Sequence, residues 1–344
     1  MKQAVMTAPG EIIFRQIDPP EPGEGEVLLR IQRIGICGSD MHVYHGRHPF
    51  TSYPVVQGHE FSAVVEKVGR GVTGLEPGMK VTSMPQIYCG ECAPCRRGDY
   101  HICDKLKVQG FQDSGCAQEL WVTSANMVVP LPVKFTFEQG AMVEPLAVGV
   151  HAVRQAGSLA GKNVVVLGAG TIGNLLAQVA NVEARKLLIT DISDYRLELA
   201  QKCGIQAVSN SGREPLKEAV SRVFGEDGFE AAFECVGIEN TMESAIENIQ
   251  KGGWIVVVGV FGEKPRLNLG FVQDRELTIR GTLMYKAEDY HRAVELISSG
   301  KVNLEPLISK VFPFEQYLDA YKYIIDQGDK SMKVFVDVSG SRRD

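Results

Sequence analysis

The chain has 344 residues, of which 44% are hydrophobic and 23% are charged, and its formal net charge is −6 at pH 7. A chain of this length can bury a large core and usually forms two domains. The negative charge argues against nucleic acid or an anionic membrane as a partner, and no apolar run approaches the ~18–20 residues that span a bilayer.

The first third of the chain has the pattern of β structure. Residues 27–37 and 61–69 are rich in β-branched side chains, and residues 65–81 contain two strand-like runs separated by a Gly/Pro turn. This part of the chain therefore predicts strands connected by tight turns.

Four side chains that can bind a metal are scattered over this region and just beyond it: Cys37, His59, Glu60 and Glu144. One thiolate, one imidazole and carboxylates can hold zinc and leave a position open for water or substrate. Their spacing alone favours simpler interpretations. Cys37 could be a small buried hydrophobe, His59 an imidazole bonded to a local carbonyl, and Glu144 an acid at a helix N-terminus.

Four further cysteines lie within fifteen residues, spaced C-x2-C-x2-C-x7-C: Cys89, Cys92, Cys95 and Cys103. Four thiolates in one short loop can close tetrahedrally around zinc, and a site with four protein ligands is structural. An iron–sulfur cluster and disulfides are the alternatives. Ferredoxin clusters use other spacings, and disulfides suit small secreted domains. Because the N-terminus also lacks an apolar signal core, we expect a cytoplasmic protein.

Near residue 150 the pattern changes to apolar strands that alternate with helical segments. The alternation is the signature of βαβ units and predicts a doubly wound parallel sheet. The predicted strands are 163–167, 187–191, 229–237, 253–260 and 277–284. The predicted helices are 171–184, 195–204 and 239–250, with an amphipathic helix at 289–301 and a last strand at 333–338.

The first of these units contains Gly168, Gly170 and Gly173 in a G-x-G-x-x-G pattern, with Ile172 before the last glycine. The motif follows an apolar strand and opens a helix, which is the context of a dinucleotide site. Gly168 permits the tight turn, Gly170 lets the backbone approach a pyrophosphate, and Gly173 lets the helix pack on the strand. The helix N-terminus supplies N–H groups for the phosphates.

Asp191 ends the next strand, where a carboxylate can accept hydrogen bonds from the ribose hydroxyls of NAD and repel the 2′-phosphate of NADP. Its alternative role is to cap the following turn. Arg196 lies close enough in sequence to pair with a phosphate, but the acid makes NAD the expected cofactor and NADP the less favoured one. Val258 ends a later strand and is expected to line the nicotinamide half.

Five motifs occur in a fixed order: GICGSDMH, GHEFSAVVEKVG, the four-cysteine loop, VEPLAVGVHA and GAGTIG. In this order they resemble the zinc-dependent medium-chain dehydrogenase/reductase superfamily, and its polyol branch in particular. The resemblance implies an α/β fold in which a Rossmann domain, residues 151–285, accompanies a mainly-β, bent-barrel catalytic domain. The catalytic domain would comprise residues 1–150 and 286–344.

The resemblance also implies two zinc ions per chain, one structural in the four-cysteine loop and one catalytic. The catalytic zinc would be held by Cys37, His59 and one or both of Glu60 and Glu144. The reaction implied is reversible hydride transfer between a secondary alcohol and NAD. Relatives are homo-oligomers, and a tetramer is expected here, with a dimer as the alternative.

Ser39 and His42 resemble the family's proton relay from the alcohol to solvent, with the cofactor ribose as a possible bridge between them. A hydroxyl can pass a proton onward, and an imidazole titrates in the right range. The alternatives are a helix-capping serine and a surface histidine.

Polar side chains that would border a cleft between the domains suggest the substrate: Tyr44, His45, Arg47, His48, Tyr285 and Lys286. Met284 stands where sorbitol dehydrogenases carry an Arg, so a sugar acid, aldonate or cyclitol is favoured over sorbitol. Arg47 or Lys286 could pair with a carboxylate. The alternatives are L-threonine 3-dehydrogenase, a broad secondary-alcohol dehydrogenase and a non-enzymatic relative that keeps the fold.

Overall fold

The computed structural model describes residues 1–341 and divides into two compact units. The first unit comprises Met1–Glu144, Lys286–Val294 and the chain from Ile308 onward; the second comprises Pro145–Tyr285 and Glu295–Leu307. Residues 145–150 and 295–307 thus differ from the expected division, which gave 1–150 and 286–344 to the first domain. Residues 145–150 continue a helix that extends to Gln155. In 295–307, Asn303 N donates a hydrogen bond to Gln178 Oε1 of the second unit at 2.6 Å.

Within the described residues, the strands are β1 Lys2–Ala8, β2 Glu11–Gln16, β3 Glu26–Ile36, β4 Glu60–Val68, β5 Lys80–Ser83, β6 Gln86–Ile87, β7 Lys107–Val108, β8 Leu120–Ser124, β9 Val128–Pro130, β10 Asn163–Leu167, β11 Lys186–Asp191, β12 Ala207–Asn210, β13 Ala231–Glu234, β14 Trp254–Val257, β15 Thr278–Gly281, β16 Ile308–Pro313 and β17 Lys333–Asp337.

The α-helices of the same residues are α1 Gly38–Tyr44, α2 Ala93–Arg96, α3 Phe137–Ala141, α4 Val143–Gln155, α5 Thr171–Asn181, α6 Asp194–Lys202, α7 Leu216–Phe224, α8 Glu239–Asn248, α9 Leu269–Asp274, α10 Ala287–Ser298 and α11 Tyr317–Gln327. None of these described helices is long and apolar enough to cross a membrane.

The first unit is built on a seven-stranded mixed sheet. Its strand order is β16-β17-β3-β4-β5-β9, and β8 also pairs with β3. Strands β16 and β17 are parallel, whereas β17, β4 and β8 all run antiparallel to β3. Alternate residues of β3, including Val27, Leu29 and Ile31, enter one core cluster with side chains of β4, β17 and α11. The long β3 is therefore the strand that organises this unit.

The second unit is a six-stranded parallel sheet in the order β12-β11-β10-β13-β14-β15. Two separate core clusters cover its faces, since Val164 and Val166 of β10 pack in one cluster while Val165 and Leu167 pack in the other. The chain runs outward from β10 to β12 and then returns to β13 beside β10, which creates a switch point where dinucleotides bind. The predicted α/β class, a doubly wound sheet with a separate β-rich unit, is confirmed.

Candidate active site and metal centres

The four-cysteine loop forms the first candidate metal centre. The sulfur atoms of Cys89, Cys92, Cys95 and Cys103 all lie within 4.8 Å of one another, and all four thiols are free. Three of the Sγ–Sγ distances are 3.5 Å, 3.8 Å and 4.0 Å. Four sulfurs bound tetrahedrally at a Zn–S distance of about 2.3 Å would be separated by ~3.8 Å. The geometry therefore fits zinc.

Residues next to these cysteines hold the segment that begins α10. Asp99 Oδ1 accepts a hydrogen bond from Lys286 Nζ at 2.8 Å, and the Tyr100 hydroxyl accepts one from Ala287 N at 2.6 Å. The predicted substrate contacts Lys286 and Tyr285 thus have other surroundings, because Lys286 is paired and Tyr285 is fully buried. A buried phenol and a paired ammonium are poorly placed to meet a substrate from solvent.

The second candidate metal centre lies where β3 ends and β4 begins. Cys37 is the N-cap of α1, directly after β3; His59 immediately precedes β4, and Glu60 is the first residue of that strand. Their ligand atoms lie within 4.8 Å of one another. Gly35 lies opposite Glu60 in the sheet, and a Cβ on Gly35 would stand 2.5 Å from Glu60 Oε2, so this glycine admits the carboxylate. A sulfur, a nitrogen and an oxygen ligand suit a zinc that keeps one position open.

Glu144, the fourth predicted ligand, is buried in the first turn of α4 but does not belong to this compact group of described ligand atoms. It lies near enough to act electrostatically on Lys333, a buried residue at the start of β17. Burial lowers the pKa of Lys333, but the negative charges of Glu60, Cys37 and Glu144 outweigh burial and raise this pKa. The ammonium is therefore charged beside the metal centre.

A network of buried polar side chains lies beside His59. Asp40 Oδ1 lies 3.5 Å from His59 Nδ1, and Asp40 Oδ2 accepts a hydrogen bond from Cys37 N at 2.9 Å. Gln57 Nε2 donates a hydrogen bond to Asp40 Oδ1 at 3.2 Å, and Gln57 Oε1 accepts one from the Tyr321 hydroxyl at 3.0 Å. Burial lowers the pKa of His59, but the charge and hydrogen bonding of Asp40 together with those of Cys37 outweigh burial and raise this pKa well above its usual value. The site thus favours a positive charge at His59, which a metal can provide.

The predicted relay residues occupy successive turns of α1. Ser39 is half-buried in the first turn and His42 is exposed in the last. The described chain contains no direct hydrogen bond between them. Ser39 thus follows the ligand Cys37 by two residues, and the exposed His42 is accessible to solvent.

The polar residues at the end of α1 and just after it have differing surroundings. Tyr44 packs its ring on Tyr321 with centroids 5.2 Å apart, whereas His45 and Arg47 are exposed. His48 stacks on Phe111 at 4.7 Å, and Phe111 in turn contacts His59 at 4.8 Å. Burial, followed by the nearby His42, lowers the pKa of His48, so His48 is a neutral ring near the metal centre. Sequence reasoning missed Phe111 because an isolated aromatic carries no motif.

The glycine motif of the second unit has the geometry of a phosphate cradle. Gly168 follows β10 with φ of +100°, which a side chain would strain. A Cβ on Gly173 would lie 1.9 Å from Gly168 O, so α5 packs against the turn only with glycine there. A Cβ on Gly170, the N-cap of α5, would meet nothing within 4 Å. The space beside Gly170 is therefore open for a ligand, and Ile172 is half-buried in the same turn.

Asp191 ends β11 with its carboxylate turned toward this motif. Oδ2 accepts a hydrogen bond from Ala169 N at 2.7 Å, and Oδ1 accepts one from Ser193 N at 2.9 Å. Arg196 Nη1 lies 3.9 Å from Asp191 Oδ2. Val258 directly follows β14 and is half-buried. The carboxyl ends of β10, β11 and β14 thus carry the predicted cofactor residues, as the parallel sheet requires.

Comparison with known families gives two matches. Residues 23–133 match the family described as "Alcohol dehydrogenase GroES-like domain", and residues 171–299 match the family described as "Zinc-binding dehydrogenase". Among curated relatives, 2-dehydro-3-deoxy-L-galactonate 5-dehydrogenase of Pseudoalteromonas atlantica is 36% identical over 322 residues, covering 93% of this chain and 94% of the relative. Sorbitol dehydrogenase of Ovis aries is 36% identical, covering 92% and 91%.

Solved structures agree with these matches. A zinc-binding dehydrogenase from Sinorhizobium meliloti 1021, bound to NADP, superposes with a TM-score of 0.92 at 29% identity, covering 98% of this chain and 99% of the other. An alcohol dehydrogenase from E. coli CFT073, complexed with NADH, gives a TM-score of 0.91 at 27% identity with the same coverage.

The fold and the two metal centres thus define a zinc-dependent dehydrogenase that acts on CH–OH groups and uses a nicotinamide cofactor. The chain belongs to the medium-chain dehydrogenase/reductase superfamily and, within it, to the polyol dehydrogenase branch.

Proposed function

We propose that this enzyme transfers hydride between NAD and a secondary hydroxyl of a sugar acid, aldonate, polyol or cyclitol. The observation that carries the proposal is the compact set of Cys37, His59 and Glu60 ligand atoms. These residues, with Glu144 as the further carboxylate, would hold the catalytic zinc. When bound, the zinc supplies Lewis-acid activation of the alcohol oxygen.

Two residues of α1 would transfer the proton that leaves the alcohol to solvent. Ser39, half-buried beside the Cys37 cap, would accept and pass on the proton, and the exposed His42 would release it to solvent. Because no direct hydrogen bond joins the two side chains, the proposed relay includes an intervening hydroxyl or water.

The substrate class rests on the named relatives and on one exposed cation. The relatives act, by their names, on a deoxygalactonate and on sorbitol. Arg47 is exposed shortly after α1, and a guanidinium pairs well with a carboxylate. Together they support a sugar acid, with Tyr44 as a further substrate contact.

The cofactor preference rests on Asp191. Its carboxylate is fixed by two backbone N–H groups at the end of β11, so it keeps its position where the adenosine ribose binds in such sheets. A fixed negative charge repels a 2′-phosphate, which supports NAD over NADP despite Arg196 nearby.

The tetrameric assembly and cytoplasmic location remain predictions of the sequence, to be measured by sedimentation and fractionation.

A substrate panel tests the proposal. Aldonates, polyols, cyclitols, L-threonine and simple secondary alcohols would be assayed with NAD and with NADP, by absorbance of the reduced cofactor. We expect the highest kcat/KM with an aldonate or polyol and NAD, and no turnover by Cys37→Ser despite normal NADH binding. Activity of Cys37→Ser would contradict the metal assignment, while a preference for L-threonine or simple alcohols would contradict the substrate class. No turnover with any of them would favour a non-enzymatic relative.

A further inference from the structure

Lys333 and Glu60 form a buried ion pair beside the second metal centre. Lys333 Nζ lies 2.8 Å from Glu60 Oε1 and 2.5 Å from Glu60 Oε2. Lys333 is 3% exposed and Glu60 is 1% exposed. The two residues are far apart in sequence, and strand pairing brings them together, since β17 and β4 both flank β3.

The ammonium of Lys333 donates all of its hydrogen bonds to acceptors at or next to the metal centre. Two contacts go to the Glu60 carboxylate and a third goes to the carbonyl of Ile36, at 3.3 Å, next to Cys37. A charged lysine this deeply buried needs such a partner. Both carboxylate oxygens of Glu60 are thus occupied by an ammonium, while the same carboxylate belongs to the compact ligand set.

We propose that Lys333 is a positioning residue that competes with the catalytic metal for the Glu60 carboxylate. The proposal rests on the proposed function, because it requires zinc at Cys37, His59 and Glu60. By drawing charge from Glu60, Lys333 keeps this carboxylate a weak, exchangeable ligand. The bound metal would then be a stronger Lewis acid for the substrate oxygen. Its affinity for the site would be lower than that of the same three ligands without the Lys333 ammonium.

A positive charge next to a cation site lowers the affinity for that cation. Since the contact between Lys333 and Glu60 is direct and excluded from water, the coupling exceeds that of a surface pair. Removal of the ammonium is therefore expected to tighten zinc binding at this centre by about tenfold or more. A purely structural role of Lys333 would have the opposite consequence, because a loosened site binds metal less well.

The variants Lys333→Met and Lys333→Arg separate these roles. Methionine fills similar volume without charge, and arginine keeps the charge. Zinc affinity would be measured on the full chain by competition with a chromogenic chelator, and the ligand field by the visible spectrum after Co²⁺ substitution. We expect about tenfold tighter zinc binding and a changed cobalt spectrum for Lys333→Met, with Lys333→Arg close to wild type. Equal or weaker binding by Lys333→Met, with an unchanged spectrum, would overturn the proposal.

The double variant Lys333→Met/Glu60→Gln controls for folding and for the route of the effect. It removes both charges of the buried pair, so no charge of that pair is left without its partner, and it is expected to fold even if Lys333→Met alone does not. Compared with Glu60→Gln alone, or with wild type if that variant is unstable, it should show no gain in zinc affinity. A tenfold gain that persists without the carboxylate would mean that Lys333 does not act through Glu60.

The number of zinc ions bound per chain distinguishes a failure of this inference from a failure of the proposed function. Wild-type protein should hold two zinc ions per chain and Cys37→Ser only one. Retention of two by Cys37→Ser would overturn the proposed function and this inference together. Loss of one zinc by Cys37→Ser, combined with equal affinities of wild type and Lys333→Met, would overturn the role of Lys333 alone.

Discussion

Asp40 Oδ1 lies 3.5 Å from His59 Nδ1 while the other oxygen of Asp40 caps the first turn of α1. One buried carboxylate thus lies next to the imidazole and also bonds the N-cap of α1, Cys37. A carboxylate behind a ligating histidine fixes its tautomer and strengthens it as a ligand. The same helix carries Ser39 and His42, so Asp40 also positions the proposed relay.

Replacement of Asp40 is the first test of this arrangement. Asp40→Asn should lower zinc affinity at the second centre by about 10–100-fold, because an amide cannot fix the imidazole tautomer as a carboxylate does. Chelator competition would measure the change. Asp319→Asn, on an exposed residue of α11, is the matched control and should leave zinc affinity unaltered. Unchanged affinity in a folded Asp40→Asn protein would show that Asp40 has no part in metal binding.

The glycines of the second unit offer a matched pair. Gly170→Ala should fold normally, because the added methyl meets nothing within 4 Å, yet it should weaken NADH binding at least about tenfold by filling the phosphate cradle. Gly173→Ala should instead destabilise the fold by several kcal/mol, because its methyl would collide with Gly168 O. Thermal unfolding without cofactor and titration of NADH fluorescence measure the two effects. A Gly170→Ala protein that binds NADH normally would place the pyrophosphate elsewhere.

Cofactor choice can be tested at the end of β11. Asp191→Asn removes the negative charge but keeps an acceptor for one of the two backbone N–H groups. We expect the ratio of kcat/KM for NAD to that for NADP to fall by about tenfold or more, since repulsion is lost and Arg196 remains. Asp194→Asn, an exposed acid in the following helix, should leave the ratio unchanged. A ratio that stays the same in Asp191→Asn would remove the basis for the NAD preference.

The features that a sequence can predict are those whose cause is local. The four cysteines lie in one loop, and the glycine motif lies between one strand and one helix, so spacing alone carries their geometry. Residues 207–224 were not predicted as structure, although they form β12 and α7. Only a few alternating apolar residues mark β12, and α7 shows its apolar face only when packed on the sheet.

Features that depend on strand pairing could not be read from the sequence. Lys333 reaches Glu60 because β17 and β4 lie on either side of β3, and a lone lysine before a strand gives no sign of this. Likewise, Tyr285 was expected to face a substrate because it follows a strand, whereas its side chain is fully buried. Asp40 was overlooked because an acid in a helix's first turn is adequately explained as a cap.

The division of labour between the two metal centres gives the last prediction. Cys95→Ser should lose the zinc of the four-cysteine loop and lower the free energy of unfolding by more than about 3 kcal/mol, because metal binding there is part of folding. It should also loosen the start of α10, which Asp99 and Tyr100 hold.

Zinc analysis, calorimetric unfolding and kcat/KM per folded molecule would check this prediction together, with activity per folded molecule expected close to wild type. Cys203→Ser is the control. Cys203 is buried and belongs to neither group of metal-ligating atoms among the described residues, so it should bind no metal. The control should keep both zinc ions. A Cys95→Ser protein that unfolds like wild type yet loses turnover would mean that the loop takes a direct part in catalysis.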